Sequence, residues 1–508
     1  MYRWSRVPVV LFGVSLLGSG VALAADQAQV TTATLANGQP LPRIATLPQF
    51  SEGGFSGLYP VTGEPNHYWT VSDRGPNGEP IGTPVLRPFP SPAFTPSIYK
   101  IAIDPALHEM NIIERVPLKL PAGRVDPLRA VVGGPSNHIT GFGNTGVSVA
   151  ANVPVADEIA VSDSNADSFV NTSDTPFPYD PYGLDTEGIV FDPRDGGSFW
   201  LVEEYRPSII HVALDGTLLQ RYTPGGQNAA NLGTAWSAVP LSDVLPRAYS
   251  MRRDNRGFEG VALSPDGTTL YAVMQNPLAI PNATCSAVPG YAGANNNRSA
   301  TRIAKVDVTN PAAPVLVGDF IYTLDVAPGT EITYTDLRLS DLFWLGPDTL
   351  LVDERDDVGL ARRKLYQADL SSATNLLAPG ALDTSCVDTL KPSAVAARGI
   401  VAATKTPLLD LASTSASPAY PWDKVEGTVR LPSGNFAVIN DNDFQTSYNV
   451  STGAFSLSNK IELFAEYGSA APPVVPETPW VPLLSISGLV VGAAGIGFAQ
   501  RRRRHAVA

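Results

Sequence analysis

Cysteine is nearly absent from this 508-residue chain: only Cys285 and Cys386 occur. Two thiols exclude a cysteine-rich zinc or iron–sulfur site. In an oxidising compartment they could form one disulfide, but sequence separation sets no distance between them. Histidine is also scarce, and His67, His108, His138 and His211 show no metal-ligand spacing. No GxSxG elbow, Walker loop or HExxH is present. The single GxGxxG match, at 141–146, lacks the strand-to-helix context of a dinucleotide fold. Long 3.6-period apolar stripes with caps are missing from the central region, which argues against a helical core.

Basic residues are in deficit too. Segments 1–25 and 481–508 hold six arginines and no acid, so the stretch between them carries 48 acids against 29 bases. Nucleic acid is excluded as a partner, because binding it needs a basic footprint. An acidic exterior suits solubility and cation binding.

Glycine and proline are abundant. Gly 44 and Pro 46 together make about 18% of the chain, against roughly 12% in average usage. With plentiful β-branched and aromatic residues, this composition suits many short strands joined by turns.

The ends are distinct from the middle. Residues 1–25 read as a secretory signal, with Arg3 and Arg6, an apolar run from Val7 to Leu17 and an A-x-A site at Ala22–Ala24. Residues 471–480 (APPVVPETPW) read as a Pro-rich stalk. Residues 481–500 contain 19 uncharged residues, Val481–Ala499, long enough for a transmembrane helix, and 501–508 form a basic cytoplasmic tail. This end resembles bacterial surface-sorting tails without an LPxTG motif. The expected protein is exported, monomeric, and anchored at the cytoplasmic membrane or cell surface by its C-terminal helix.

Between these ends one phrase recurs. SGLYPVTGEPNHYWTVSDRG (56–75), EGIVFDPRDGGSFWLVEEYR (187–206), EGVALSPDGTTLYAVMQNP (259–277), DLFWLGPDTLLVDERD (341–356) and EGTVRLPSGNFAVINDND (426–443) each read as strand, tight turn, strand. A third strand candidate follows several of them, at 208–214, 302–308 and 364–370. Gly57, Gly188, Gly260 and Gly427, with Gly346 as a looser match, recur at 70–85 residues apart from one double gap. A degenerate copy around 98–163 would fill that gap. The pattern predicts an all-β chain in which 26–470 form a six-bladed β-propeller.

The repeat also predicts a site. Glu187, Glu259 and Glu426 fall at one position, just before the glycine. A second polar set follows the next strand: Asp73-Arg74, Glu203-Glu204 with Arg206, Asp353-Glu354-Arg355 and Asp441-Asn442-Asp443. At one mouth of a propeller these would form rings of carboxylates interleaved with guanidinium groups. Carboxylates suit a hard cation such as calcium, and arginines suit an anionic ester. The expected catalytic residues are Glu187, Glu259, Glu426, Glu204 and Arg206. The expected metal ligands are Asp73, Asp353, Asp441 and Asp443, and Arg74, Arg355 and Lys424 are expected to bind substrate. The alternative is a network of ion pairs that ties blades together.

PYGLDTEGIVF (181–191), FWLVEEYRPSII (199–210), NRGFEGVALSPDG (255–267) and KVEGT (424–428) resemble the family named for phytase-like esterase activity. The resemblance covers about Phe50–Phe464. It implies a propeller that hydrolyses a phosphate or other ester, with calcium as in propeller phytases. The competing expectations are a non-catalytic surface propeller that binds protein or glycan, and a lactonase-like calcium hydrolase.

Overall fold

The computed structural model describes residues 27–468, apart from short stretches of which the longest are 42–49, 148–153, 164–169, 227–237 and 379–385. The signal 1–25, the stalk 471–480, the helix 481–500 and the tail 501–508 lie outside the described residues. Among the described residues no helix is long and apolar enough to cross a membrane.

The recurring phrases fold as antiparallel hairpins, and each hairpin opens a blade. Blade 1 comprises Phe55–Pro60, His67–Ser72, Ser97–Asp104 and Glu109–Pro117. Blade 2 comprises Thr186–Asp192, Ser198–Glu203, Ser208–Ala213 and Leu218–Pro224, with Leu241–Leu245 added in parallel outside. Blade 3 comprises Phe258–Leu263, Thr269–Met274, Ala300–Asp307 and Val315–Thr323. Blade 4 comprises Arg338–Gly346, Thr349–Arg355, Arg363–Asp369 and Thr404–Asp410. Blade 5 takes Val425–Arg430, Phe436–Asn440 and Leu463–Tyr467, and its outer strand is Gln27–Leu35 from the other end of the chain. Pairing strands from the two ends of the described chain in one blade closes the ring.

The ring has five blades, not six. The innermost strands pack 1 on 2, 2 on 3, 3 on 4, 4 on 5 and 5 on 1, which leaves no place for another. The stretch read as a degenerate copy divides instead. Its first part supplies the two outer strands of blade 1, and its strand Ile159–Ser162 pairs in parallel with Leu86–Phe89 in a separate two-stranded sheet. The double gap between Gly57 and Gly188 is thus an insertion after blade 1.

Burial follows the two-residue pleat. Each blade has two apolar faces, and the space between successive blades holds one buried cluster: Leu201 and Ile189 between blades 1 and 2, Trp200 and Phe258 between 2 and 3, Leu342 and Val352 between 3 and 4. Leu351 and Val438 lie between 4 and 5, and Tyr99 and Ile439 between 5 and 1. Burying one such side chain contributes about 1.5–3 kcal/mol.

The recurring glycine has a steric reason. A Cβ on Gly188 would lie 2.8 Å from the backbone oxygen of Glu259 in the next blade, and one on Gly427 would lie 2.8 Å from the carbonyl carbon of Gly57. Inner strands therefore touch backbone to backbone around the axis. Gly346, read as the blade 4 counterpart, ends the first strand beside the hairpin turn. The register places Asp341 in the glycine position instead, and its carboxylate accepts the N–H groups of Leu342 (2.8 Å) and Thr428 (2.7 Å).

Cys285 and Cys386 are disulfide-bonded, with Cα atoms 5.7 Å apart. The bond joins the insertion after the second strand of blade 3 to the insertion after the third strand of blade 4. Nearby, Arg302 makes a two-pronged ion pair with Asp388 at 2.7 Å for each prong.

Candidate functional site

Equivalent backbone positions define the site tier by tier. The N–H of Asp73 bonds the oxygen of Gly54, Glu204 that of Asp185, Gln275 that of Gly257, and Asp441 that of Lys424. In blade 4 the same pairing joins Arg338 to Arg355. One tier after the second strand is therefore Asp73, Glu204, Gln275, Arg355 and Asp441. A second tier, at the residue before the axial glycine or Asp341, is Ser56, Glu187, Glu259, Ser340 and Glu426. A third, two residues earlier, is Gly54, Asp185, Gly257, Arg338 and Lys424. Alternation along a strand puts residues two apart on one face, so the tiers converge on the axis.

They enclose a cavity of about 50 Å³, with lining that is almost wholly polar. That volume has room for roughly three to five waters, or an ion with fewer. Its walls carry seven carboxylates (Asp73, Asp185, Glu187, Glu204, Glu259, Glu426, Asp441) and five cationic groups (Arg74, Arg256, Arg338, Arg355, Lys424). Asn255 and Gln275 complete it.

At the cavity blade 2 is acidic and blade 4 basic, and blades 1 and 5 carry both signs. On the side of blades 1 and 2, carboxylate oxygens of Asp185, Glu187 and Glu204 lie within 4.8 Å of one another, all buried. Arg74 flanks them: its backbone N–H donates to Asp185 (3.1 Å), and its guanidinium pairs with Glu158 (3.0 Å) and Asp185 (3.4 Å) and donates to Asn255 (3.0 Å). Tyr205 lies against the same guanidinium, 5.1 Å from ring centroid to carbon. Arg256 stands 3.8 Å from Glu204. On the side of blades 4 and 5, Arg355 bonds Glu426, stands 3.9 Å from Glu259 and donates to Ser340 at 2.7 Å. Lys424 bonds Asp441 (2.9 Å) and Asp443.

Crowding carboxylates in a buried site raises their affinity for protons. Burial, then Glu259, Asp185, Glu204 and Glu426, hold Glu187 well above the usual carboxylate range. Glu259 is raised well above it by burial and by Glu204 and Glu426. Burial and Asp185 push Glu204 up to about 7, against the opposing pull of Arg256 and Arg74. Asp441 is likewise pushed up to about 7, chiefly by burial.

Of the expected site residues, Asp73, Arg74, Glu187, Glu204, Glu259, Arg355, Lys424, Glu426 and Asp441 line this cavity. Three do not. Arg206 is fully buried and donates to the backbone oxygens of Pro181 and Gly183, both at 2.6 Å, so it braces the loop that leads into Asp185. Asp353 is also fully buried; it occupies the place of Val71, Val202, Val273 and Ile439 in the other blades, one pleat below the cavity. Asp443 turns away to Lys424 and Lys460. Asp185, Asn255, Arg256, Gln275 and Arg338 line the cavity without having been singled out from sequence. For Asp185 the signal was present: it stands two residues before Glu187 and so shares its face.

Residues 51–444 match the phytase-like family described as "Esterase-like activity of phytase". The chain belongs to that family. A stretch of 107 residues is 33% identical to an uncharacterized secreted protein of Arthroderma benhamiae. The match covers 19% of this chain and 20% of that protein, so the chain spans about a fifth of the relative's length. Among solved structures, a luciferin-regenerating enzyme aligns over 86% of this chain and 92% of its own, at 9% identity and TM-score 0.30. A putative 6-phosphogluconolactonase from Bacteroides uniformis aligns over 86% and 96%, at 11% identity and TM-score 0.30. At these scores the alignments add nothing to the architecture that the sheets already define. In this member of the phytase-like family, the 51–444 match contains all five recurring hairpins.

Proposed function

We propose that this phytase-like protein is an exported hydrolase of phosphate or other esters, with a divalent cation assisting at the axial cavity. The observation that carries this reading is the convergence of Asp185, Glu187 and Glu204 within 4.8 Å in a buried cavity that arginines also line. Three carboxylates so close repel unless protons or a cation lie among them. Their all-oxygen donor set fits calcium or another hard cation, and neither cysteine nor histidine is among the described lining residues. Asp185, Glu187 and Glu204 would hold the ion. When bound, such a cation polarises an ester oxygen and makes a bound water more acidic.

The chain's own groups supply the rest. Arg355, Arg338 and Lys424 line the wall on blades 4 and 5, where they would orient an anionic oxygen of the substrate. Arg74 and Arg256 hold Asp185 and Glu204 in place. The small cavity admits the reacting group and little else, so the bulk of the substrate would lie among the loops at the mouth. Export is supported by the disulfide, which persists in oxidising compartments, and by the secreted relative. Gly468 follows the strand Leu463–Tyr467, whose end pairs with Phe436 beside the 431–435 turn. That is the face opposite Lys424 and Asp441, so a C-terminal anchor would leave the mouth unobstructed.

Turnover of phosphomonoester, carboxyl-ester and lactone panels by the purified protein, with calcium or chelator, tests this reading. Calcium should also raise Tm, since a ligand at 100-fold its Kd adds about 2.7 kcal/mol. Glu187→Gln should remove both effects. Absence of turnover on every panel together with no calcium-dependent shift in Tm would overturn the proposal.

A further inference from the structure

Blade 3 repeats two of the three positions that form the carboxylate cluster of blade 2. Glu259 is equivalent to Glu187, and Gln275 to Glu204, but Gly257 stands where blade 2 has Asp185. Gln275 Nε2 donates to Glu259 Oε1, which settles the orientation of both side chains. When Glu259 is ionised, its Oε2 and Gln275 Oε1 are buried acceptors with no hydrogen-bond partner among the described residues. Both side chains line the cavity, and they are 2% and 3% exposed. Leaving a buried acceptor unpaired costs about 1–3 kcal/mol, so the pair calls for a donor.

The donor must be small, because the whole cavity measures about 50 Å³. A second cation is a poor fit: one carboxylate and one amide offer little charge, and the Arg355 guanidinium stands 3.9 Å from Glu259 Oε1. A water fits. Giving its hydrogens to two acceptors, it turns its lone pairs away from them and into the cavity.

We propose that Glu259 Oε2 and Gln275 Oε1 bind the water that attacks the ester, with Glu259 as its base and Gln275 as a positioning residue. This rests on the hydrolytic reading above. The water oxygen bonds to the ester carbon or phosphorus, and the bond to the leaving alkoxide breaks. One water proton passes to Glu259 Oε2 and then to the leaving oxygen, so that acid and alcohol are released and the carboxylate is restored.

Three measurements test it. A crystal structure of the calcium-loaded protein should show an ordered water hydrogen-bonded to both atoms; a cation there, or a protein donor on either atom, would overturn the assignment. Glu259→Gln should lower kcat by ~10²–10⁴, with calcium affinity unchanged, whereas Glu187→Gln should lose calcium binding. Gln275→Leu should lower kcat by about 10²-fold with KM and calcium affinity unchanged. Wild-type kcat in Glu259→Gln, or calcium loss matching that of Glu187→Gln, would overturn this assignment and leave the hydrolase reading standing. No turnover by the wild-type protein on any ester would overturn both.

Discussion

Blades 2 and 4 occupy equivalent places in one ring and present opposite charge to the cavity. Where blade 2 has Asp185, Glu187 and Glu204, blade 4 has Arg338, Ser340 and Arg355. Where blade 2 has Gly188, pressed against the backbone of Glu259, blade 4 has Asp341, whose carboxylate bonds the backbone of blade 5. The fold repeats backbone positions, and the side chains make blade 2 acidic and blade 4 basic. Blade 4 thus supplies tethered cations where blade 2 supplies only carboxylates.

Breaking the basic wall should have the largest effect. Arg355→Met leaves Glu426 and Glu259 buried without their shared cation, and removing one partner of a buried pair costs about 3–5 kcal/mol. Urea unfolding measures it, and adding Glu426→Gln should recover part of the loss. A cost below ~1 kcal/mol would mean that the cavity is wet enough to screen Arg355, and the contrast between the blades would lose its energetic content.

Asp341 offers the next test. Asp341→Ala keeps a Cβ that blade 4 already accommodates and orphans the N–H groups of Thr428 and Leu342, at a cost of about 1–3 kcal/mol by the same unfolding assay. No loss would show that this carboxylate fills space without bonding blade 4 to blade 5.

The smallest effect, per unit of pH, concerns the acidic wall. Glu204 is pushed to about 7 in the folded protein from an ordinary value of 4.5, by burial and Asp185. Without metal, the folded state therefore holds a proton between about pH 4.5 and 7 that the unfolded chain has released. The stabilisation from this group is fully present below 4.5 and is lost as pH rises through 7. Glu204→Gln removes that dependence, so its stability relative to wild type in chelator should grow from pH 5 to 8, by at most about 1.4 kcal/mol per pH unit. A constant difference across that range would place the protons elsewhere.

Much of the site could be read in the chain because a strand alternates faces. The three EG phrases put Glu187, Glu259 and Glu426 at one position, and the cavity contains all three. Blade 4 was harder to read, since it writes Ser340-Asp341 where the other motifs have a glycine second. Matching Asp353 to Asp73 and Asp441 by residue type slipped the register by two; pleat pairing puts Arg355 there. The blade count failed for a different reason: an insertion after blade 1 has strands of its own and roughly the length of a missing repeat. Arg206 sits in a conspicuous EEYR run, yet its guanidinium is spent on two backbone oxygens.

The class of the protein is legible in the chain alone: short alternating strands, tight turns, a repeated hairpin and an acidic balance. Those are local properties, legible because pleat and turn chemistry act within a few residues. It took folding to close the ring at five, to bring Cys285 to Cys386, and to gather Asp185, Glu187 and Glu204. Each of these depends on distances between segments far apart in the chain. Those distances are set by how five twisted sheets pack around an axis, and no local pattern records them.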